Sequence, residues 1–290
     1  MEFMKYYTKE WYNLCQQCGY HYNLKISDKA AVFSDKYYQT LYKRKLNEFL
    51  RNMKRRSELT ADDIYGIDSG RDDFKVVVED SGMTKEECLQ VAEGIRKQML
   101  DARANFVPEI YDEEELIRLN KYYHQSQVEQ LKNTLPTEIL ETIVDIRVFA
   151  LGITTKSVKK EIRMWCRQNN KETDRISKEY SKVLELNMND IGIDIIRKYG
   201  FHDGSIVRTE YNGDDFIIEL SPVFTSIGRV IFKNCSILEK EGDLQDAIWL
   251  YEEIYPSHVG NEYHALVLRK DGELAYLTVV ASDIEFEKIK

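Results

Sequence analysis

The sequence lacks the features that mark membrane, secreted and disulfide-stabilised proteins. In its 290 residues no apolar run approaches the ~20 residues that a membrane-spanning helix needs. The first residues show neither an apolar segment nor a small-residue cleavage site, so we expect no secretory signal. The five cysteines are odd in number and mostly far apart, which excludes a disulfide framework. We therefore expect a cytoplasmic protein that binds no membrane.

Proline and glycine are also scarce. Only 4 Pro and 14 Gly occur, which leaves little room for long flexible linkers. Hydrophobic residues at 43% and aromatic residues at 11% are enough to bury sizeable cores, so a disordered chain is excluded. At roughly 150 residues per domain, a chain of this length predicts two folded domains.

Recognisable catalytic and cofactor motifs are missing. The sequence contains no P-loop, GxGxxG, GxSxG or HExxH pattern. Cys15, Cys18 and His21 have metal-ligand spacing, but no second CxxC completes the set and the context is helical. We interpret the two cysteines as small buried helix residues that bind no metal. Clustered Asp residues around Gly66 and Gly70 do not follow the calcium-loop register and predict a loop. We expect no cofactor.

Negative charge is confined to the end of the chain. From Phe201 onward there are 8 Lys and Arg against 17 Asp and Glu, a net charge of −9, whereas the first 200 residues hold 33 of each sign. An acidic domain repels nucleic-acid phosphates and suits a basic protein partner. The alternative is that the charge serves only solubility.

The first 199 residues follow a helical period. Ser34 is predicted to cap a helix that ends near Arg56, whose basic last turns favour a solvated face over a nucleic-acid patch. Residues 136–152 predict one central apolar helix, in which Arg147 must pair or snorkel near Asp145. Two more helices are predicted at residues 156–169 and 171–186.

At Gly200 the period changes from 3.6 to 2. The pairs Asn212-Gly213 and Asp271-Gly272 each predict a β-hairpin with a type I′ turn. Residues 229–238 read as one strand. In all, the pattern predicts about six antiparallel strands in a small sheet or half-open barrel. The fold class is therefore α+β, with a helical domain at 1–199 followed by an antiparallel β domain at 200–290.

His202 and Asp203 form the first candidate site. An imidazole beside a carboxylate can bind a metal or move protons near neutral pH, so a metal-assisted hydrolase is one hypothesis. The pattern favours the alternative, in which the two residues form a turn that starts the first strand.

Residues 248–255 form the second candidate site and read as either helix or strand. On a strand, Trp249, Tyr251, Glu253 and Tyr255 would share one face and Glu252 would lie on the other with three aliphatic residues. Aromatic rings beside carboxylates can hold a basic peptide or a cation. They can equally be covered by the helical domain, and both interpretations stay open.

Four segments together carry a family resemblance. These are residues 5–12, residues 145–152, the Phe201-His202-Asp203 step and residues 249–255. In this order they resemble a domain-of-unknown-function family, DUF4085, of Gram-positive (Firmicutes) bacterial proteins. The resemblance implies a bacterial, cytoplasmic protein and no catalytic residue. The His-Asp step also resembles some small bacterial immunity proteins that neutralise toxins. We therefore expect a protein of unknown function that acts by binding rather than by catalysis.

Overall fold

The computed structural model describes residues 4–65, 85–222 and 225–288. The predicted loop around Gly66 and Gly70 lies outside these residues, apart from two Asp residues that begin a short helix. The extended piece expected at 74–78 and the Thr84 helix cap also lie outside them. Within the described chain, helices precede an antiparallel sheet, so the predicted α+β class is confirmed.

Among the described residues the helices come first and the longer strands come last, with two short strands, β1 and β2, between helices. In chain order the helices are α1 (Lys9–Gln17), α2 (Asp35–Ser57), α3 (Ala61–Tyr65), α4 (Lys85–Ala104), α5 (Glu113–Thr134), α6 (Thr137–Leu140), α7 (Ile146–Ala150), α8 (Lys156–Ile191) and α9 (Ile193–Lys198). The strands are β1 (Lys25–Ile26), β2 (Ile153–Thr154), β3 (Ser205–Asn212), β4 (Asp215–Ser221), β5 (Ile227–Lys233), β6 (Ser236–Lys240), β7 (Ile248–Ser257), β8 (Gly260–Leu268), β9 (Leu274–Ala281) and β10 (Asp283–Lys288).

The chain divides into two compact units. One, the sheet unit, combines Met1–Gln17 with Asn169–Lys290, and the other, the helical unit, is Cys18–Gln168. α8 contributes residues to both. The predicted boundary between residues 199 and 200 marks the change from helix to strand, and as a domain boundary it stays a prediction.

In the helical unit, α2 begins where the sequence predicts, whereas the apolar segment at residues 136–152 does not form the single helix predicted for it. The Ser34 side chain accepts a hydrogen bond from the Tyr37 N–H and caps α2. The single helix predicted at 136–152 is wrong, because the segment forms α6 and α7. Asp145 starts α7 by accepting a hydrogen bond from the Arg147 N–H. Residues of the four helices α5, α6, α7 and α8 bury a core around Ile162.

α8 runs without a break over 36 residues, so the two helices predicted at 156–169 and 171–186 are wrong as separate elements. The predicted boundary falls at two consecutive asparagines. In the folded chain Asn169 is buried, and the Thr173 hydroxyl donates to the Asn170 carbonyl inside the helix.

The sheet unit contains one open, eight-stranded antiparallel sheet among the described residues. The strand order is β10-β5-β4-β3-β7-β8-β9-β6. The expectation of about six strands was too low, partly because residues 229–238 form parts of two strands. Asn234 adopts a positive φ of 43° between them, and β5 and β6 then join opposite ends of the sheet.

Both predicted hairpins form, with turns other than type I′. Asn212 pairs with Asp215, and only the first of the two residues between them, Gly213, has a positive φ, as in a type II′ turn. In the second hairpin the Gly272 N–H donates to the Arg269 carbonyl and Gly272 has a φ of 85°, as in a three-residue loop with a glycine bulge.

One face of the sheet buries the larger apolar core of the sheet unit. Trp249, Phe216, Phe232 and Tyr263 are all at most 1% exposed there, and the end of α8 packs against them through Ile191. The other face is covered by Met4 and residues of α1. Among the described residues, no helix combines the length and apolar character needed to cross a membrane.

Candidate functional site

The sheet brings the two predicted candidate sites together. β3 pairs with β7 through Ser205 and Ile248, and the Asp203 N–H donates to the Trp249 carbonyl at 2.8 Å. The residues just before β3 therefore lie beside the first residues of β7. We call the resulting group the junction cluster: His202, Asp203, Trp249, Tyr251 and Glu252.

A tight turn presents the polar end of this cluster. The Gly204 N–H donates to the Phe201 carbonyl at 2.8 Å, and Asp203 has a φ of 62° between them. The predicted turn at His202 and Asp203 is thereby confirmed. A Cβ on Gly204 would lie 2.8 Å from the Phe201 carbonyl oxygen, so the turn admits no side chain at that position.

The His202 ring is fixed by the backbone and open on one side. Its Nδ1 contacts the Leu250 carbonyl, which can only accept, so Nδ1 carries the proton in the neutral ring. Nε2 lies 3.7 Å from Oδ2 of Asp203, and the ring centroid is 4.9 Å from that of Tyr251. The side chains of His202 and Asp203 are 47% and 53% exposed, so both can reach a ligand from solvent.

A β-bulge changes the predicted faces of β7. The register shifts between Trp249 and Tyr251, so Leu250 has no partner on β8. As a result Trp249 lies in the main core with Ile254, and its Nε1 donates to Oε2 of Glu252 at 2.9 Å. The predicted single face of Trp249 with Tyr251, Glu253 and Tyr255 is therefore wrong for Trp249.

Glu252 is the carboxyl of the cluster whose pKa is shifted by burial. Burial raises the pKa of its carboxyl to about 7, while the Trp249 indole, the His202 ring and the Phe201 backbone act in the opposite direction. Near neutral pH the side chain is thus present in both protonation states. A carboxyl with this pKa beside an imidazole can exchange protons with a bound molecule.

Glu253 faces the other side of the sheet and is fully buried. Its carboxylate accepts hydrogen bonds from the backbone N–H groups of Lys5, Tyr6 and Tyr7 at 2.9, 2.7 and 2.5 Å. The Tyr255 hydroxyl donates to it at 2.6 Å, and Lys5 lies over the Tyr255 ring. The chain's own first residues therefore occupy this part of the acidic, aromatic face.

Tyr251 is covered on the same side by α1. The Trp11 ring meets it edge-on at 4.7 Å between centroids, and the Tyr7 ring lies 5.5 Å away. Of the seven predicted site residues, His202 and Asp203 remain the most accessible, and Tyr251, Glu252 and Tyr255 are partly exposed.

His264 is a buried polar residue that the sequence pattern did not single out. It lies opposite Glu253 on β8, and its Nδ1 is 3.1 Å from the Thr278 hydroxyl. Burial lowers the pKa of its ring to about 4, and the nearby Lys5 acts in the same direction. The alternation of polar residues in Glu262-Tyr263-His264 was the available signal, but it does not show which of them is buried.

A comparison of the sequence with models of known protein families identifies the family of this chain. The sequence model of the family described as Protein of unknown function (DUF4085) matches residues 101–281, more than half of the chain. The chain belongs to this family. No curated protein and no solved structure matches it.

The DUF4085 match covers the junction cluster, Glu253 and His264. It also covers the segment at 145–152, whereas residues 5–12 lie outside the matched range. The resemblance in the sequence is thereby confirmed at the level of the family, and the Firmicutes origin stays a prediction.

Other predicted features take structural roles. In the helical unit the Arg147 guanidinium donates to Asp145 at 2.8 and 3.0 Å and lies 2.9 Å from Asp35, which confirms that it is paired. Cys15 lies within α1, whereas Cys18 follows that helix, and both are half-buried, so the interpretation of the two cysteines as buried helix residues is wrong. No group of three or more His, Cys, Asp or Glu residues is arranged to hold a metal ion in the part of the chain that the structure describes.

Proposed function

We propose that this DUF4085 protein is a cytoplasmic bacterial binding protein whose acidic sheet unit recognises a basic protein segment at the junction cluster. The observation that carries the proposal is the backbone conformation and exposure of Asp203. Its carboxylate is half-exposed at a backbone position, φ 62°, where glycine is ordinarily the cheapest residue. Asp tolerates this conformation better than most residues, and here it also places a carboxylate beside an accessible imidazole.

Charge supports the same assignment. The C-terminal third carries a net charge of −9, which favours encounters with a cationic partner. Many of its carboxylates are neutralised by neighbours such as Arg208, Arg229 and Lys233. The partner of Asp203 is His202, which carries charge only when protonated. A lysine or arginine side chain would supply the positive charge and could contact the Tyr251 ring.

The experiment is a comparison of two charge reversals. Asp203→Lys and Asp214→Lys change the net charge equally, but Asp214 lies exposed in the β3–β4 turn, away from the cluster. Partners captured from a native bacterial lysate are compared by mass spectrometry after thermal melting has shown both variants to be folded. The proposal expects one basic protein to be lost with Asp203→Lys and kept with Asp214→Lys. Equal profiles would contradict it.

A hydrolase is the second candidate, and the pKa of Glu252 favours it. A carboxyl that titrates near pH 7 beside the His202 ring is suited to acid–base catalysis. Elemental analysis of the purified protein tests the metal-assisted form, which requires a stoichiometric divalent metal lost on His202→Ala. Hydrolysis of simple ester and phosphodiester substrates, abolished by Glu252→Gln, would support a metal-free form. Absence of both results would leave binding as the function.

A further inference from the structure

We infer that the helical unit binds an organic polyphosphate, of about the size of a nucleoside di- or triphosphate, in a basic groove beside α2. The groove has a volume of about 670 Å³ and lies between α2 and the β1 segment. Its four charged lining residues are all cations: Lys25, Lys29, Lys36 and Arg44. We call it the basic groove. It is independent of the junction cluster, which belongs to the sheet unit.

The positive charge of the basic groove is not neutralised locally. No carboxylate lines it, and none of the four cations forms an ion pair with another described residue. The nearest acid in sequence on α2, Asp35, is engaged by Arg147 at 2.9 Å. Four like charges around one concavity repel one another, and a bound anion removes that repulsion.

Helix geometry explains why the cations converge. Lys36, Thr40 and Arg44 are spaced four residues apart on α2, so they lie along one stripe of the helix. Lys25 and Lys29 come from the opposite wall, formed by β1 and the short 3-10 helix Asp28–Ala31 that follows it. The groove is therefore lined by donors from two separate elements.

Both walls are held in place before any ligand binds. The Lys25 N–H donates to the Gly152 carbonyl at 2.8 Å and the Ser27 N–H to the Thr154 carbonyl at 2.9 Å, which fixes the β1 wall. Leu41 at the floor is 3% exposed and packs with Ile153. A site that needs little ordering binds its ligand at a lower entropic cost.

The chemistry of the lining selects phosphate oxygens. Besides the cations, hydroxyl groups of Ser27, Ser34 and Tyr37 line the basic groove, and the Ser27 and Tyr37 oxygens are 3.4 Å apart, whereas the Thr40 hydroxyl donates to the Lys36 carbonyl. Cations and hydroxyls together are the donors that bind phosphate groups. Four cations exceed what a single phosphate needs, so we assign two or three linked phosphates. The half-exposed Tyr37 ring offers a surface for a planar group.

The volume limits the ligand to a small molecule. About 670 Å³ lies within the usual range for small-molecule sites, roughly 300–1,000 Å³. A neighbouring concavity shares Arg44 and continues along α2, where two further cations, Arg51 and Lys54, line it together with Glu113, which opposes an anion at that end. The proposal therefore commits to a nucleotide-sized polyphosphate and not to a nucleic acid.

Isothermal titration of the full chain with inorganic tripolyphosphate, ATP and a ten-nucleotide single-stranded DNA tests this inference. Lys36→Gln removes a groove cation. Lys43→Gln is the matched control, because Lys43 is an exposed lysine of α2 that does not line the groove. We expect tripolyphosphate and ATP to bind, and Lys36→Gln to weaken both by about tenfold, as for one lost charge-assisted hydrogen bond. Lys43→Gln should leave both affinities unchanged.

Three results would overturn the inference. The first is no heat of binding with either phosphate probe at millimolar concentration. The second is an equal loss in Lys36→Gln and Lys43→Gln, which would mean attraction to the net charge of the helix. The third is DNA that binds more tightly than ATP, which would assign the surface to a longer polyanion. Thermal melting of each variant, compared with wild type, separates these results from misfolding.

Discussion

The backbone N–H of Tyr6 donates a hydrogen bond of 2.7 Å to Oε1 of Glu253, across 247 residues of sequence. Glu253 is fully buried, and its carboxylate is satisfied by three consecutive backbone amides and the Tyr255 hydroxyl. This contact makes the start of the chain part of the sheet unit. It also explains why an acidic, aromatic strand is not an open binding face along its whole length.

Glu253→Gln tests the strength of that contact. Gln keeps the size of the side chain but loses the charge and one acceptor oxygen, and its NH₂ group would face donors. We expect the free energy of unfolding to fall by about 3 kcal/mol, in the range for breaking a buried charged hydrogen-bond network. Urea unfolding followed by circular dichroism measures it. Glu273→Gln, at an exposed site of the β8–β9 turn, should change stability by less than about 0.5 kcal/mol.

Glu252→Gln should stabilise the protein in a pH-dependent way. The folded pKa of Glu252 is raised to about 7 from an ordinary 4.5, so the folded state holds the extra proton between those values. The stability that Glu252 contributes to the wild-type protein is present below pH 4.5 and is lost as the pH rises through 7. Gln stays neutral, so the variant should match wild type near pH 4 and exceed it by on the order of 2 kcal/mol at pH 8. A difference that does not change with pH would contradict the account.

His264 should make the free energy of unfolding change with pH in the opposite direction. Burial lowers its folded pKa to about 4 from 6.5, although Oε1 of Glu262 lies 2.8 Å from Nε2 and acts in the opposite direction, so the unfolded chain binds the extra proton between these values. The stability it contributes is present above pH 6.5 and is lost as the pH falls toward 4. In the Glu252→Gln background, where the opposing contribution is absent, stability should rise from pH 4 to 6.5. Replacing His264 by Gln in that background should flatten the curve, and an unchanged curve would assign the slope to other groups.

Trp249 is a core residue with one polar contact, and replacing it should lower the stability of the protein. Its side chain is 0% exposed, packs edge-on against Tyr199 and Phe201, and donates to Glu252. Trp249→Ala should lower the free energy of unfolding by about 3–5 kcal/mol. Trp249→Phe should lose less, because most of the ring volume remains. A Trp249→Ala protein that melts like wild type would contradict the packing described.

Much of the local structure could be predicted from the sequence. Ser34 predicts the start of α2, and the glycines predict both hairpins. Each of these predictions needs only one or two residues, because helix capping and turn formation depend on local chemistry. The change of period at Gly200 likewise marks the change from helix to strand.

The arrangement of the site could not be predicted in the same way. The bulge at Leu250 depends on how β7 pairs with β8, and it moves Trp249 to the face that Glu252 shares. The partners of Glu253 are backbone amides about 250 residues away, which no side-chain pattern encodes. The break between α6 and α7 was missed because apolar periodicity outweighed the capping signal of Asp145.

The most direct measurement of the proposed function is the affinity of a fluorescent Lys/Arg-rich peptide, by anisotropy, at low and moderate salt. Asp203→Asn removes the charge while keeping a residue that tolerates the positive φ, and Asp214→Asn is the matched control. Recognition at the junction cluster predicts salt-dependent binding that Asp203→Asn weakens about fivefold or more and Asp214→Asn leaves within twofold. Equal weakening by both substitutions, or no binding by wild type, would contradict it.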